Sequence, residues 1–407
     1  MGESDAMSLS NRHIFILGTT KFDNPYESTS YITAKYLAKE NFVYFIENPF
    51  TWKDYYKNKN TPEFDRREEF FASKSEGLLA TDIPTLKVII TPPLLSINFL
   101  PEGRLYRLLL KINEAIIAKR IRRTLAKEKI ESFIFINSFN FHYPNVVKSL
   151  KPSLTVYQCV DPLILPFDRK HGVLSEQTLL RNSDLVICTS QQLYNEKKTV
   201  NKNTFFIPNA ADITHSKKAL DKNLPVAECL APYKKPIIGY FGNIERRMDF
   251  ELIREVAAQN PDKSFVFAGP ESPEFIPEWF YKTSNIYLTG RLPYEQLPAV
   301  LKGFDVAMIP FKKDEVSETI FPLKLFEYLG AGKPVVATNF NTDLADFTKG
   351  TVCYCGDSIS FTTAINEELK TNSEDKIEAR LAIAQENTWE KRINQISELL
   401  YSHIQIP

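Results

Sequence analysis

The chain has 407 residues, 43% hydrophobic and 25% charged, and its 50 basic and 50 acidic side chains cancel to zero net charge. That is globular composition with length for two or three cores, which excludes a disordered, collagenous or disulfide-stapled chain. A general nucleic-acid binder is also disfavoured, because holding phosphates needs a basic excess.

In chain order, apolar β-rich runs alternate with helical patterns. His13–Leu17 reads as a first strand, followed by a polar loop from Gly18 to Ser28 and a helix over residues 30–39. Phe42–Ile46, then residues 86–90, 132–136 and 155–159, then Leu185–Cys188 and residues 204–207, continue the strands. Residues 212–235 lose periodicity and collect Lys, Asp and proline, as a linker would. A second alternation follows, with strands at 236–241, 264–268, 286–288, 306–309 and 334–337 and a helix over 249–259. Strand–helix alternation of this kind predicts an α/β chain with two parallel sheets, each covered on both faces.

The expected organisation is an N-terminal domain at 1–211, the linker at 212–235, a second domain at 236–387, and a final helix at 388–407 packing back across the domains. Residues 1–200 hold 27 Lys/Arg against 22 Asp/Glu and residues 201–407 the opposite excess, as two domains with different surfaces would. Cys159, Cys188, Cys229, Cys353 and Cys355 are scattered and odd in number, which suits reduced thiols in a cytoplasmic compartment. No apolar run approaches membrane-spanning length, and the start, Met1-Gly-Glu-Ser-Asp, is acidic rather than signal-like. The five histidines have no metal-ligand spacing, there is no Asp-x-Asp, and Walker, Gly-x-Gly-x-x-Gly and Gly-x-Ser-x-Gly loops are missing.

The informative segment is 321–337, Phe-Pro-Leu-Lys-Leu-Phe-Glu-Tyr-Leu-Gly-Ala-Gly-Lys-Pro-Val-Val-Ala. Pro322 suits the first turn of a helix; Gly330, Gly332 and Pro334 suit its end. Lys324, Glu327, Tyr328 and Ala331 fall on one face, with Leu325, Phe326 and Leu329 on the side that buries. A helix N-terminus attracts phosphate, Lys324 adds a cation there, and Glu327 can accept hydrogen bonds from a ribose diol. An ordinary amphipathic helix with a Lys–Glu surface pair has the same spacing.

This segment resembles the donor-site signature of GT-B glycosyltransferases, nearest to the bacterial branch that builds teichuronic-acid-type and exopolysaccharide chains. Residues 239–244 with Asp249, 267–270, 288–291 and 304–310 resemble that branch in the same order, and 156–161, 187–190 and 207–210 do so more thinly. The resemblance implies two Rossmann-like domains facing across a cleft, and transfer of a sugar, usually UDP-linked, to a hydroxyl of a glycan or polyprenyl-linked saccharide. By it, Lys324 meets the donor phosphates, Glu327 the ribose, and the Gly242–Asn243 turn approaches the diphosphate. Gly290 and Arg291 would sit beside the base, and Ser317, Glu318, Thr319 and Phe321 would line the sugar pocket. No metal or other cofactor is expected.

Asp161, in a Tyr-x-x-x-Asp stretch similar to one in inverting relatives, is the candidate general base, and His142 the second candidate. Thr319 stands where retaining relatives carry a glutamate, which leans toward inversion. A 2-epimerase on the same fold, or a non-catalytic relative that only binds sugar nucleotide, are the alternatives. Residues 104–129 carry nine Lys/Arg against two acids with apolar residues at helical spacing. They are a candidate contact with an anionic membrane on the inner face of the cell, or simply a helix with a solvated basic face.

Overall fold

The computed structural model describes residues 9–24, 28–163 and 166–404; the chain start and part of the Gly18–Ser28 loop lie outside them. Contacts divide the chain into two units, residues 1–208 with 393–407, and residues 209–392.

The first unit is built on an eight-stranded sheet. Its strands are β1 (His13–Leu17), β2 (Phe42–Ile46), β3 (Leu78–Ala80), β4 (Leu86–Ile89), β5 (Ile134–Ser138), β6 (Leu154–Cys159), β7 (Leu185–Cys188) and β8 (Thr204–Phe206). The order is β3-β4-β2-β1-β5-β6-β7-β8, parallel except for β3, which runs antiparallel to β4 at the edge. Ile14, Ile16, Val43 and Phe45 are fully buried, as expected of strands covered on both faces. The second sheet holds β9 (Ile237–Phe241), β10 (Ser264–Ala268), β11 (Ile286–Gly290), β12 (Val306–Ile309), β13 (Val335–Thr338) and β14 (Val352–Cys355). Its order is β11-β10-β9-β12-β13-β14, all parallel.

The expected α/β class and the two parallel sheets are both present. The strand expected at 132–136 runs instead over Ile134–Ser138 and takes in polar Asn137 and Ser138 at its end. Their side chains are satisfied inside: Asn137 accepts from the Asn140 N–H at 2.8 Å, and the Ser138 hydroxyl donates to Gln158 at 2.8 Å.

Residues 212–235 are part of the second unit rather than a free linker. They form the short helix Ile213–Ser216 and two 3₁₀ turns, and Ile213, Ala219 and Leu230 are buried in that unit's core. Three widely spaced anchors have no period, so the stretch reads as linker in the sequence.

The final helix, Trp389–His403, returns to the first unit. Ile393, Ile396 and Leu400 lie in one core with Ile14, Ile136 and Val156, and the Leu9 N–H donates to the Ser397 hydroxyl at 2.8 Å.

The basic stretch is the helix Arg104–Lys127, but much of its charge is spent within the unit. Arg120 is buried against the carbonyls of Phe70, Ala72 and Ser75; Arg107 pairs with Glu102 and Lys127 with Glu76. Among the described residues no helix is long and apolar enough to cross a membrane.

Candidate functional site

The helix Leu323–Gly330 begins after Pro322, at the carboxyl ends of the second sheet's strands, where open α/β sheets bind ligands. Leu325, Phe326 and Leu329 are buried as expected, but Tyr328 is buried with them rather than on the polar face. Its hydroxyl accepts from the Phe241 N–H at 2.9 Å and its ring meets Phe241 edge-on, which ties the helix to the last residue of β9.

Lys324 is held from below. Its ammonium donates to the Tyr240 hydroxyl at 2.7 Å and lies 4.3 Å over the Tyr240 ring and 5.2 Å over that of Phe311. Tyr240 in turn donates to the Asn243 carbonyl at 3.0 Å, so one relay fixes both the cation and the turn after β9. Desolvation, and then the nearby Arg247 guanidinium, lower the Lys324 pKa to about 7. Glu327, one turn on, is raised to about 7 by its own burial, against the pull of Lys324 and with help from Asp212. Among the described residues the Glu327 carboxylate receives no hydrogen bond, so its acceptor capacity is open.

Arg247 is a second cation that sequence reasoning missed. It pairs with Glu245 and lies 5.7 Å over the Phe311 ring, the same ring that faces Lys324. The Lys312 N–H donates to the Arg247 carbonyl at 2.8 Å, which draws the 242–249 loop against the end of β12. Only this fold-back brings residue 247 beside residue 324, and no spacing rule records it.

Gly242 does something other than offer its amide to a phosphate. Its N–H is already given to the Ala268 carbonyl at 2.9 Å. What the missing side chain provides is room, because a Cβ there would lie 2.4 Å from the Lys324 Nζ. Gly269 packs more tightly still: its φ is +155°, and a Cβ would stand 2.1 Å from the Gly242 carbonyl oxygen. Gly269→Ala must therefore push apart the loops after β9 and β10. We expect a loss of about 3 kcal/mol, seen in thermal unfolding as a melting temperature lower by roughly 6–12 °C. An unchanged melting temperature would mean that the two loops part freely.

The other expected donor residues are less uniform. Phe321 is no pocket wall: it is buried, stacked on Phe326 at 5.3 Å and edge-on to Phe347 at 5.1 Å. Thr319 is buried with its hydroxyl on the Val316 carbonyl, and Glu318 is exposed. Ser317 is fully buried, and its hydroxyl has no partner among the described residues. Asn243 is exposed on the same turn as Gly242. Gly290 ends β11 with φ +68° and open space around it, and Arg291 beside it is exposed.

In the first unit, Asp161 lies exposed just past β6, and His142 lies partly buried in the loop after β5. Both are therefore at the carboxyl end of their sheet. Burial holds the His142 imidazole below its ordinary pKa; Asp168 opposes that effect and His171 adds to it. His171 is buried, stacked on Tyr106 at 3.6 Å, with Nδ1 2.8 Å from Glu102. Among the described residues no His/Cys/Asp/Glu group is arranged to hold a metal ion.

Residues 235–371 match the family model described as glycosyl transferases group 1. In Bacillus subtilis (strain 168), a candidate teichuronic acid biosynthesis glycosyltransferase, TuaH, is 28% identical over 200 residues, 45% of this chain and 50% of that protein. A candidate colanic acid biosynthesis glycosyl transferase, WcaI, of Escherichia coli (strain K12) is 27% identical over 40% of this chain and 42% of its own length. The matches thus span about half the length of these relatives.

Among solved structures, sucrose-phosphate synthase from Thermosynechococcus elongatus superposes with a TM-score of 0.65 at 16% identity, covering 96% of this chain and 99% of that one. Anabaena Alr3699/HepE, solved in complex with UDP, gives 0.64 at 14% identity over 96% and 100%. At such identities these two show the fold. Residues 235–371 thus resemble the group 1 glycosyl transferases, and the chain shares the GT-B fold of these two structures.

Proposed function

We propose that the chain transfers a sugar from a UDP-sugar to a hydroxyl of a glycan or lipid-linked saccharide, in the synthesis of a polysaccharide. The observation that carries this reading is the pairing of Lys324, oriented by Tyr240, with the open carboxylate of Glu327 one helical turn away. A diphosphate needs a desolvated cation, and a ribose diol needs an unpaired acceptor; here the two stand one helical turn apart on the same helix. The UDP bound in the Anabaena structure and the polysaccharide names of the two relatives support the choice of donor and process.

In this reading Asp161 takes the acceptor's proton as that oxygen attacks the anomeric carbon. The bond from that carbon to the diphosphate breaks, and UDP leaves with the electron pair. A single displacement inverts the configuration. Lys324, Arg247 and the N-terminus of the Leu323–Gly330 helix stabilise the charge that builds on the leaving group, so the reaction calls for no metal.

Calorimetric titration with UDP, GDP and ADP in metal-free buffer tests the donor assignment. Selective UDP binding that disappears in Glu327→Ala is the expected result. Binding of none of the three would remove the donor site and the transferase reading with it.

A further inference from the structure

We propose that the first unit docks on an anionic lipid surface through the paired outer faces of the helices Arg104–Lys127 and Pro166–Asn182. The observation is a cluster of large apolar side chains left in water. Phe99, Leu105, Leu108, Ile112, Phe167 and Leu174 are between 45% and 77% exposed. On the first helix Leu105, Leu108 and Ile112 recur at i, i+3 and i+7, one stripe; on the second, Phe167 and Leu174 share a face at i and i+7.

The two stripes belong to one surface because the helices are locked side by side. Tyr106 stacks on His171, Arg107 donates to the Ser175 hydroxyl at 2.9 Å, and Lys170 donates to the carbonyls of Asn98 and Phe99. Apolar groups of this size, gathered on one face of a unit that already has a complete core, mark a surface that meets something other than water.

Charge selects the occupant. Arg104, Lys111, Arg169 and Lys170 are exposed around the stripes, and none is in an ion pair among the described residues. Of the neighbouring acids, Glu102 is neutralised by Arg107 and faces His171, and Asp168 is partly buried between Phe167 and Arg169. A second copy of the chain meeting this face about a two-fold axis would set these cations against their own images. An anionic bilayer offers the complement, with phosphates for the cations and acyl chains for the leucines. Long basic side chains can then reach outward while the apolar stripe sinks below the headgroups.

The reading does not depend on the chemistry of the second unit, so its test can fail without touching the transferase assignment. The full chain is floated with vesicles of phosphatidylcholine alone or mixed with phosphatidylglycerol, at low and high salt. Binding to the mixed vesicles, weakened by salt and absent with phosphatidylcholine alone, is expected.

Two variants change only exposed groups: Leu105→Gln/Leu108→Gln/Ile112→Gln and Lys111→Glu/Arg169→Glu. Each should lower the partition coefficient by about tenfold or more while the thermal unfolding curve stays in place. Failure to float with the anionic vesicles overturns the proposal, as does binding that both variants leave unchanged. A chain that is dimeric in light scattering and becomes monomeric in the triple variant overturns it in favour of a second copy.

Discussion

Lys324→Met is expected to weaken UDP binding by about 10- to 150-fold, the cost of losing one desolvated, charge-assisted contact to a diphosphate. Methionine keeps the unbranched stem and its packing over Tyr240 and Phe311, so the loss reports on charge. The effect also has a pH signature. The Lys324 pKa is about 7, whereas a bound diphosphate favours the ammonium and raises it. Above pH 7, binding must therefore take up a proton, and affinity should fall about tenfold per pH unit until the pKa of the complex is reached. Calorimetry in buffers of different ionisation heat reads that proton directly. In Lys324→Met both the proton and the slope should be gone; a wild-type affinity that is flat between pH 7 and 9 would place the diphosphate elsewhere.

The second large effect is on turnover. Asp161→Asn should lower the rate of UDP release from a UDP-hexose, with a bacterial membrane extract as acceptor source, by about a hundred- to ten-thousand-fold. UDP affinity should not change, because Asp161 lies in the first unit and the nucleotide contacts proposed here come from the second. If His142 is the base instead, Asp161→Asn keeps its turnover and His142→Gln loses it. Its imidazole, held low by burial, is neutral at physiological pH and so already in the form a base requires.

The strands were the most legible part of the sequence. Short apolar runs rich in isoleucine and aromatics and bounded by polar turns, such as Ile-Phe-Ile-Leu, read as buried parallel strands. What escaped was short or polar. β3 is a three-residue antiparallel edge, β14 is four residues with two cysteines, and β5 ends in polar residues that only a buried network can satisfy.

The site shows the same division. Lys324 and Glu327 lie three apart on one helix, so the local spacing brings them together before any tertiary fact is known. Tyr328 looks polar in a helical projection and turns out to be a buried clamp, because one hydroxyl can be satisfied by one strand-end N–H. Tyr240 and Arg247 come to Lys324 through the loop after β9 folding back, and Gly269 matters because that loop touches the next one. Contacts of that kind belong to the fold and leave no periodic trace.

The first unit is made from both ends of the described chain, with residues 209–392 inserted between Pro208 and Ile393. During synthesis its eight strands leave the ribosome early, yet Ile393, Ile396 and Leu400, which close one of its cores, come nearly two hundred residues later. The second unit is continuous and can fold as soon as it is out. Until then the early strands wait with an apolar face uncovered, an interval in which chaperones or aggregation compete for them. Loss of the final helix would make that interval permanent: a chain stopped after Arg392 keeps the second unit entire but a first unit that cannot finish folding.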